Sequence, residues 1–293
     1  MFYNKKKINI SILFHGIEYD KHKSEINKEM FIDIVEIKKL IIFLKKKNFK
    51  FTFCNEFIDS EKTCSISFDD GYSGVREFND FSLEHSIPYT LFLNSYNIIN
   101  NLPFIWDLYK LQNKKNYNFL SDYKENYNLI DKKIISSLKE KKIYMPLNTD
   151  DILRFDKNSL AKFSLHTHFH QVLLGNFLKK YDEEIKKNIE FLVNFSKSDV
   201  RSIALPCGLY DANLINKLQN DFDKIFTING GVARNKKIVN RISLVNPLKI
   251  SLLDQIEYFL SNKFIIKRYL VNKKYSLISK IKNISLEYDQ KNL

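Results

Sequence analysis

The sequence predicts an α/β fold, a barrel of seven or eight parallel strands wrapped in helices. Short apolar runs rich in β-branched residues recur along the chain, each ended by a turn signal. Segments with helical periodicity stand between them, and that alternation argues for parallel β/α architecture. The number of runs suits a closed barrel, in which chemistry gathers at the C-terminal strand ends. No internal repeat is present.

Residues 8–14 (INISILF) form the first strand and end at His15-Gly16. Residues 30–47 place apolar side chains at helical spacing with lysines between them. KFTFCNEF (50–57) and SISF (65–68) are the next strands, followed by a helix over about 73–85 and a strand at IPYTLFL (87–93). From about 97 to 145 the chain is rich in Asn, Lys and Tyr and holds the single tryptophan, Trp106, which marks an insertion with helices of its own. LNTDDILRF (147–155) starts a short helix, with Asn148 or Thr149 as N-cap and acids in the first turn. KFSLHTHFH (162–170) is strand then loop, and 176–196 is a charged amphipathic helix. SIALPCG (202–208), a helix near 211–219, KIFTINGG (224–231) and RISLV (241–245) complete the barrel. The expected partition is therefore a barrel over 1–250, carrying the insertion, and a basic helical extension over 251–293.

At 293 residues, 44% hydrophobic and 14% aromatic, the chain can bury a sizeable core. A net charge of +13 favours anionic partners such as phospholipid head groups or acidic glycans. The lysines are scattered rather than gathered on one aromatic-studded segment, which argues against nucleic acid. Cys54, Cys64 and Cys207 are odd in number and lack CxxC spacing. That argues against a disulfide framework or a cysteine zinc site and fits a reducing compartment. The apolar run after the basic N-terminus is too short for a signal-peptide core, and no stretch approaches the ~20 apolar residues of a membrane span. A cytoplasmic protein, with the inner membrane surface as a docking place, is the expectation.

Two motifs carry chemistry. SISF is followed by Asp69-Asp70-Gly71. A turn needs one aspartate, not two, so the pair reads either as a turn or as a metal or acid–base site. The second motif, His166-Thr167-His168-Phe169-His170, holds three of the six histidines. Positions i and i+4 share a side in a tight turn, so His166 and His170 suit a borderline divalent metal with a carboxylate as third ligand. His168 should point away. Both motifs follow predicted strands, so both belong on one rim. One aspartate can then complete a His-His-Asp triad, and its neighbour can act as a base.

Together with ALPCGLYD (204–211), these motifs resemble the first three motifs of the metal-dependent polysaccharide deacetylases, carbohydrate esterase family 4. ILFHGI resembles the opening of the branch with an N-terminal Phe/Tyr-His stretch. PFIWD, and FTINGG with NRISLV, resemble later family segments, so the resemblance spans roughly 8–250. It implies the distorted (β/α)7-8 barrel of that family. It also implies Asp69 as general base, Asp70, His166 and His170 as metal ligands, and a backbone N–H of Cys207 for the oxyanion. Pro206 and Gly208 would shape that loop, and Thr167 would brace the histidine loop through hydrogen bonds. The implied metal is one divalent ion of zinc type, Co²⁺ and Ni²⁺ being the alternatives.

Two departures stand out. The third motif has Ala204 where the family often has arginine, so Arg241, rather than Arg201, is expected to orient the base. No histidine follows His170, and His15, ending the first strand next to the last one, is the expected general acid. The expected activity is removal of an acetyl group from an N-acetylated sugar in cell-surface glycan or lipid-linked saccharide biosynthesis. The alternatives are hydrolysis of a small non-sugar amide, O-deacetylation, and a non-catalytic glycan-binding or membrane-surface protein. In 251–293, apolar residues are expected on one helix face and Lys263, Lys267 and Arg268 on the other. That pattern fits either packing on the barrel or contact with an anionic membrane.

Overall fold

Ile8–Phe14 (β1) is buried along its whole length, which requires cover on both faces and places it centrally in a parallel sheet. The computed structural model describes residues 1–58, 61–234, 236–247 and 250–281. After β1, Gly16–Glu18 (β2) and Phe31–Asp33 (β3) pair as a small separate sheet. Ile34–Lys46 (α1) follows, capped by the Asp33 carboxylate on Val35 N–H. It buries Ile37, Leu40, Ile41 and Leu44 at helical spacing. The strand expected over 50–57 is shorter, Lys50–Thr52 (β4). Lys62–Asp70 (β5) has β1 on one side, with β4 and then Tyr89–Leu93 (β6) along the other. Val75–His85 (α2) connects β5 to β6.

The long connection after β6 holds Ser95–Asn100 (α3), Ile105–Asn113 (α4), Tyr123–Asn128 (α5), Lys132–Lys139 (α6) and Thr149–Asp156 (α7). Asn148 is the N-cap of α7, in a capping box with Asp151. Then come Ala161–Leu165 (β7), Tyr181–Leu192 (α8), Ser198–Ala204 (β8), Ala212–Asp221 (α9) and Lys224–Thr227 (β9). The late strand expected over 241–245 is two pieces, Ile238–Asn240 (β10) and Ile242–Ser243 (β11).

All pairings in the main sheet are parallel, in the order β10-β9-β8-β7-β6-β5-β1-β11. β10 and β11 are its two ends, and a single residue, Arg241, separates them in the chain. Arg241 N–H donates to Thr227 O while Leu244 N–H donates to Leu13 O, so the backbone crosses the seam of the nearly closed barrel at Arg241. First and last strands are neighbours, as a closed barrel requires.

Leu252–Phe259 (α10) and Asn262–Ile281 (α11) form the tail, and no helix of the described residues is long and apolar enough to cross a membrane. One expectation fails here. Arg268 is not on an outer basic face but only 4% exposed, turned toward the barrel between Phe264 and Asn272. Positions 264, 268 and 272 form one inward stripe at i, i+4, i+8. The part of the expected extension at 282–293 lies outside the described residues.

Candidate active site

β5 carries Asp69 and Asp70 to the barrel rim, both buried. Asp70 takes a left-handed φ of +68° and Gly71 follows at +90°. An added Cβ at Gly71 would come within 2.8 Å of Leu93, so the turn after the pair needs glycine. The two carboxylates face different partners. Asp69 accepts two parallel bonds from Arg241, Nη1 to Oδ1 at 2.6 Å and Nη2 to Oδ2 at 2.7 Å. Arg241 is 0% exposed and lies over the Phe92 ring at 4.8 Å. Burial pushes the Asp69 carboxyl up, but the Arg241 charge and His166 outweigh it and hold it below the usual range. Asp69 is thus ionised at neutral pH. Arg201 is 63% exposed and paired with Asp223, which removes it as a partner for Asp69.

Asp70 meets the histidine loop. His166 Nε2 and His170 Nε2 each stand 3.5 Å from Asp70 Oδ1. The Nδ1 of His166 lies 3.0 Å from Ala204 O, and since a carbonyl only accepts, Nδ1 carries the proton. That leaves Nε2 facing Asp70. Burial acts to lower the His166 pKa, but the Asp69 and Asp70 carboxylates outweigh it and raise it, and Nε2 is the atom on which a metal would replace the proton. His170 is pulled down to about 3 by burial, so it is neutral.

Asp70, His166 and His170 are a fully buried trio whose ligand atoms lie within 4.8 Å of one another. Asp70 Oδ1 is a buried oxygen without a hydrogen-bond partner. Ligand atoms about 2.1 Å from a shared tetrahedral centre stand about 3.4 Å apart, close to the two spacings here. Asp69 and Asp70 face a single arginine, and Glu29 lines the same cavity, so the site favours a cation. These residues fit a zinc-type ion.

Helix α8 holds the loop from behind. Asn188 Oδ1 accepts from His166 N–H at 3.0 Å and Glu184 Oε2 accepts from Phe169 N–H at 2.8 Å. Thr167, expected to brace the loop by hydrogen bonding, has its buried hydroxyl beside the Glu184 carboxyl, whose pKa burial raises and this hydroxyl lowers. Thr167 also contributes a left-handed turn, φ +65°. His168 points away from Asp70, with Nδ1 2.8 Å from Ser95 Oγ. Sequence reading missed Glu184 and Asn188, because only the fold brings a helix 15 to 22 residues downstream onto the loop.

After β8, the Pro206-Cys207-Gly208 turn lines the same cavity. Cys207 has φ +54° and Gly208 φ +58°, where a Cβ would lie 2.3 Å from Ile228 Cγ1, so Gly208 is obligatory. The turn's own bonds run from Gly208 N–H to Leu205 O and from Leu209 N–H to Pro206 O, leaving out the Cys207 N–H. From outside, Arg268 Nη2 donates to Cys207 O at 2.9 Å and Gly208 O at 3.3 Å. Burial pushes the Cys207 thiol well above its ordinary pKa, so it is no nucleophile. Cys207→Ala, which keeps the N–H, is expected to hold turnover within about tenfold of wild type. Loss of an oxyanion donor would cost 10²–10³-fold. Steady-state kinetics separates the two.

β1 and β5 pair with Phe14 opposite Phe68, so His15 stands level with Asp69 on the neighbouring strand. It lines the cavity with Asp69, Asp70, His166 and His170, and burial lowers its pKa although Asp70 and Asp69 raise it. His15 therefore rests neutral at pH 7, where an imidazole of ordinary pKa would be about one-quarter protonated. The cavity is about 150 Å³, and much of its wall is apolar, including Leu13, Trp106, Phe119, Leu205 and Val245.

The sequence profile of the polysaccharide deacetylases matches residues 58–221, more than half of the chain. The chain belongs to the polysaccharide deacetylase family. None of the curated proteins matches it. Among solved structures, a polysaccharide deacetylase from Bacillus cereus is 14% identical, with a TM-score of 0.59 over 87% of this chain and 70% of the other. IcaB from Ammonifex degensii is 15% identical, with a TM-score of 0.59 over 87% and 98%. A de-N-acetylase from Aggregatibacter actinomycetemcomitans is 12% identical, with a TM-score of 0.61 over 86% and 99%. At such identities the likeness concerns the fold, and it agrees with the distorted parallel barrel.

The long connection between β6 and β7 supplies part of the site wall. The Trp106 ring packs 4.7 Å from His170, and its indole N–H donates to Tyr72 Oη at 2.6 Å. Tyr72 in turn donates to Asp107 Oδ2 at 2.7 Å, and Asn27 Nδ2 to Oδ1 at 2.7 Å. The signal in sequence was a lone Trp-Asp pair inside a polar insertion. Burial pushes Asp107 up to about 7 and Glu184 up to about 7. Such carboxyls keep their protons in the folded state between about pH 4 and 7, while the unfolded chain loses them, so stability falls as pH rises through that window. Asp107→Asn is expected to flatten that slope, as read from thermal midpoints between pH 5 and 8.

Proposed function

We propose that the protein is a metal-dependent hydrolase that removes an acetyl group from an N-acetylated sugar of a cell-surface glycan or its lipid-linked precursor. One observation carries this reading: the buried Asp69–Arg241 pair lies beside the Asp70, His166 and His170 trio on one rim. When bound, a zinc-type ion would supply Lewis acidity and lower the pKa of water to about 7. Asp70, His166 and His170 would hold it. Asp69, kept ionised and oriented by Arg241, would accept the proton of the attacking water. The Cys207 N–H would donate to the developing oxyanion. His15 would protonate the leaving amine; because it rests neutral, it must gain that proton during turnover. The apolar wall of Trp106, Phe119 and Leu205 suits an acetyl methyl group and excludes bulk water.

The small, largely apolar cavity also favours a second reading, hydrolysis of a small non-sugar amide by the same residues. The test is metal content together with acetate release from nucleotide-linked, lipid-linked and oligomeric N-acetylhexosamines. Bound metal with acetate from a sugar supports the deacetylase. Bound metal without acetate from any sugar moves the reading to the small amide. Absence of metal binding overturns both. His15→Ala is expected to lower kcat by about 10²-fold while metal content stays the same. Unchanged kcat would remove His15 from the mechanism.

A further inference from the structure

Helix α11 carries apolar residues on two sides. Its inner stripe, Phe264, Arg268 and Asn272, is spent on the barrel: Phe264 packs on Gly230, Arg268 bonds the Cys207 turn, and Asn272 Nδ2 donates to Asn229 Oδ1. Its outer side exposes Ile266 by 59%, Tyr269 by 64% and Leu270 by 57%. Ile266, Leu270 and Val271 form an apolar groove edged by Lys263, Lys267 and Lys274. No acidic residue occurs anywhere in α11, and none of these three lysines forms an ion pair among the described residues. Exposed apolar side chains gathered on one helix face imply a covering partner.

We propose that the outer face of α11 docks on an anionic lipid bilayer surface, with Ile266, Tyr269 and Leu270 in the interface and the lysines among the head groups. Charge decides between occupants. A second copy related by a two-fold axis would set this face on itself, lysines against lysines, with no acid to relieve them. An anionic lipid surface complements both the apolar stripe and its basic flanks. The helix also has a fixed place relative to the site. Arg268 ties it to Cys207 and Gly208, both of which line the catalytic cavity, so docking would bring the cavity close to the lipid head groups. The docking face is independent of which acetylated compound the site takes.

The test is co-sedimentation of the full chain with vesicles of phosphatidylcholine alone or with 30 mol% (about one lipid in three) phosphatidylglycerol. Wild type is compared with Ile266→Ser/Leu270→Ser and with Lys263→Glu/Lys267→Glu. The expected result is salt-sensitive binding to the anionic vesicles only. Each lysine contributes about fivefold to the partition coefficient, and the serine pair lowers it more than tenfold. These side chains point away from the barrel, so circular dichroism and thermal midpoint should match wild type in both variants. Failure to bind anionic vesicles, or binding untouched by both variants, overturns the proposal. So does a lipid-free dimer that the serine pair dissolves, since that would make the occupant a second copy.

Discussion

Asp69→Asn is expected to lower kcat by about 10²–10⁴-fold, the usual share of a general base, with metal content unchanged because Asp70, His166 and His170 would hold the proposed ion. The same substitution should also destabilise the protein. Arg241 is 0% exposed, and its guanidinium would be left charged and unpaired in the barrel interior. Removing one partner of such a buried pair costs about 3–5 kcal/mol. Two readouts therefore move together, turnover and the denaturant midpoint. Arg241→Met, with Asp69 intact, separates them. The carboxylate would then lose its largest favourable charge and both bonds, so its pKa should rise and the acid limb of the pH–rate profile should shift upward. If Asp69→Asn kept wild-type kcat, Asp69 would be a structural partner of Arg241 and the base would have to be sought elsewhere.

Chelation of the ion is the second large effect. Removing it should abolish turnover and return a thermal midpoint lower by roughly 4–5 °C than at a hundredfold excess over Kd, where binding adds about 2.7 kcal/mol. Re-addition of Zn²⁺ should restore both. His166→Ala should abolish the zinc-induced shift, since it removes the ring nitrogen Nε2 that the Nδ1 contact with the Ala204 carbonyl turns toward Asp70 and His170. Unaltered midpoint and turnover after exhaustive chelation would mean that the trio serves another purpose. The Asp69 contribution to the pH response of the metal-free protein has a fixed sign as well. Asp69 has a depressed folded pKa, so its stabilisation is present above the ordinary carboxylate value and is lost as pH falls through the folded one.

The motif residues were legible because each signal is local. A strand that ends in two acids, and a turn with histidines at i and i+4, point to one rim once the strands are known to be parallel. Arg241 was legible only through a missing arginine at Ala204, and its reach to Asp69 depends on the barrel seam falling at that residue. Arg268 was misread from periodicity alone: a charge at its position reads as solvent-facing, yet its fork meets two carbonyls that no sequence distance connects to it. The bracing of the histidine loop was legible only in part: Thr167 lies within it, whereas Glu184 and Asn188, which accept from its backbone N–H groups, come from a helix 15 to 22 residues downstream.

The sequence by itself determined the α/β class, the order of the strands, the family, and the residue types placed at the strand ends. Periodicity, turn chemistry and motif spacing are properties of neighbouring residues. Tertiary structure alone decided that His15 rests neutral and that Trp106 and Phe119 wall the cavity. It also decided that α11 supports the Cys207 turn on one side and leaves an apolar, basic face on the other. These outcomes depend on burial and on contacts between residues far apart in the chain, and a side chain's charge state and partners follow from what surrounds it in space.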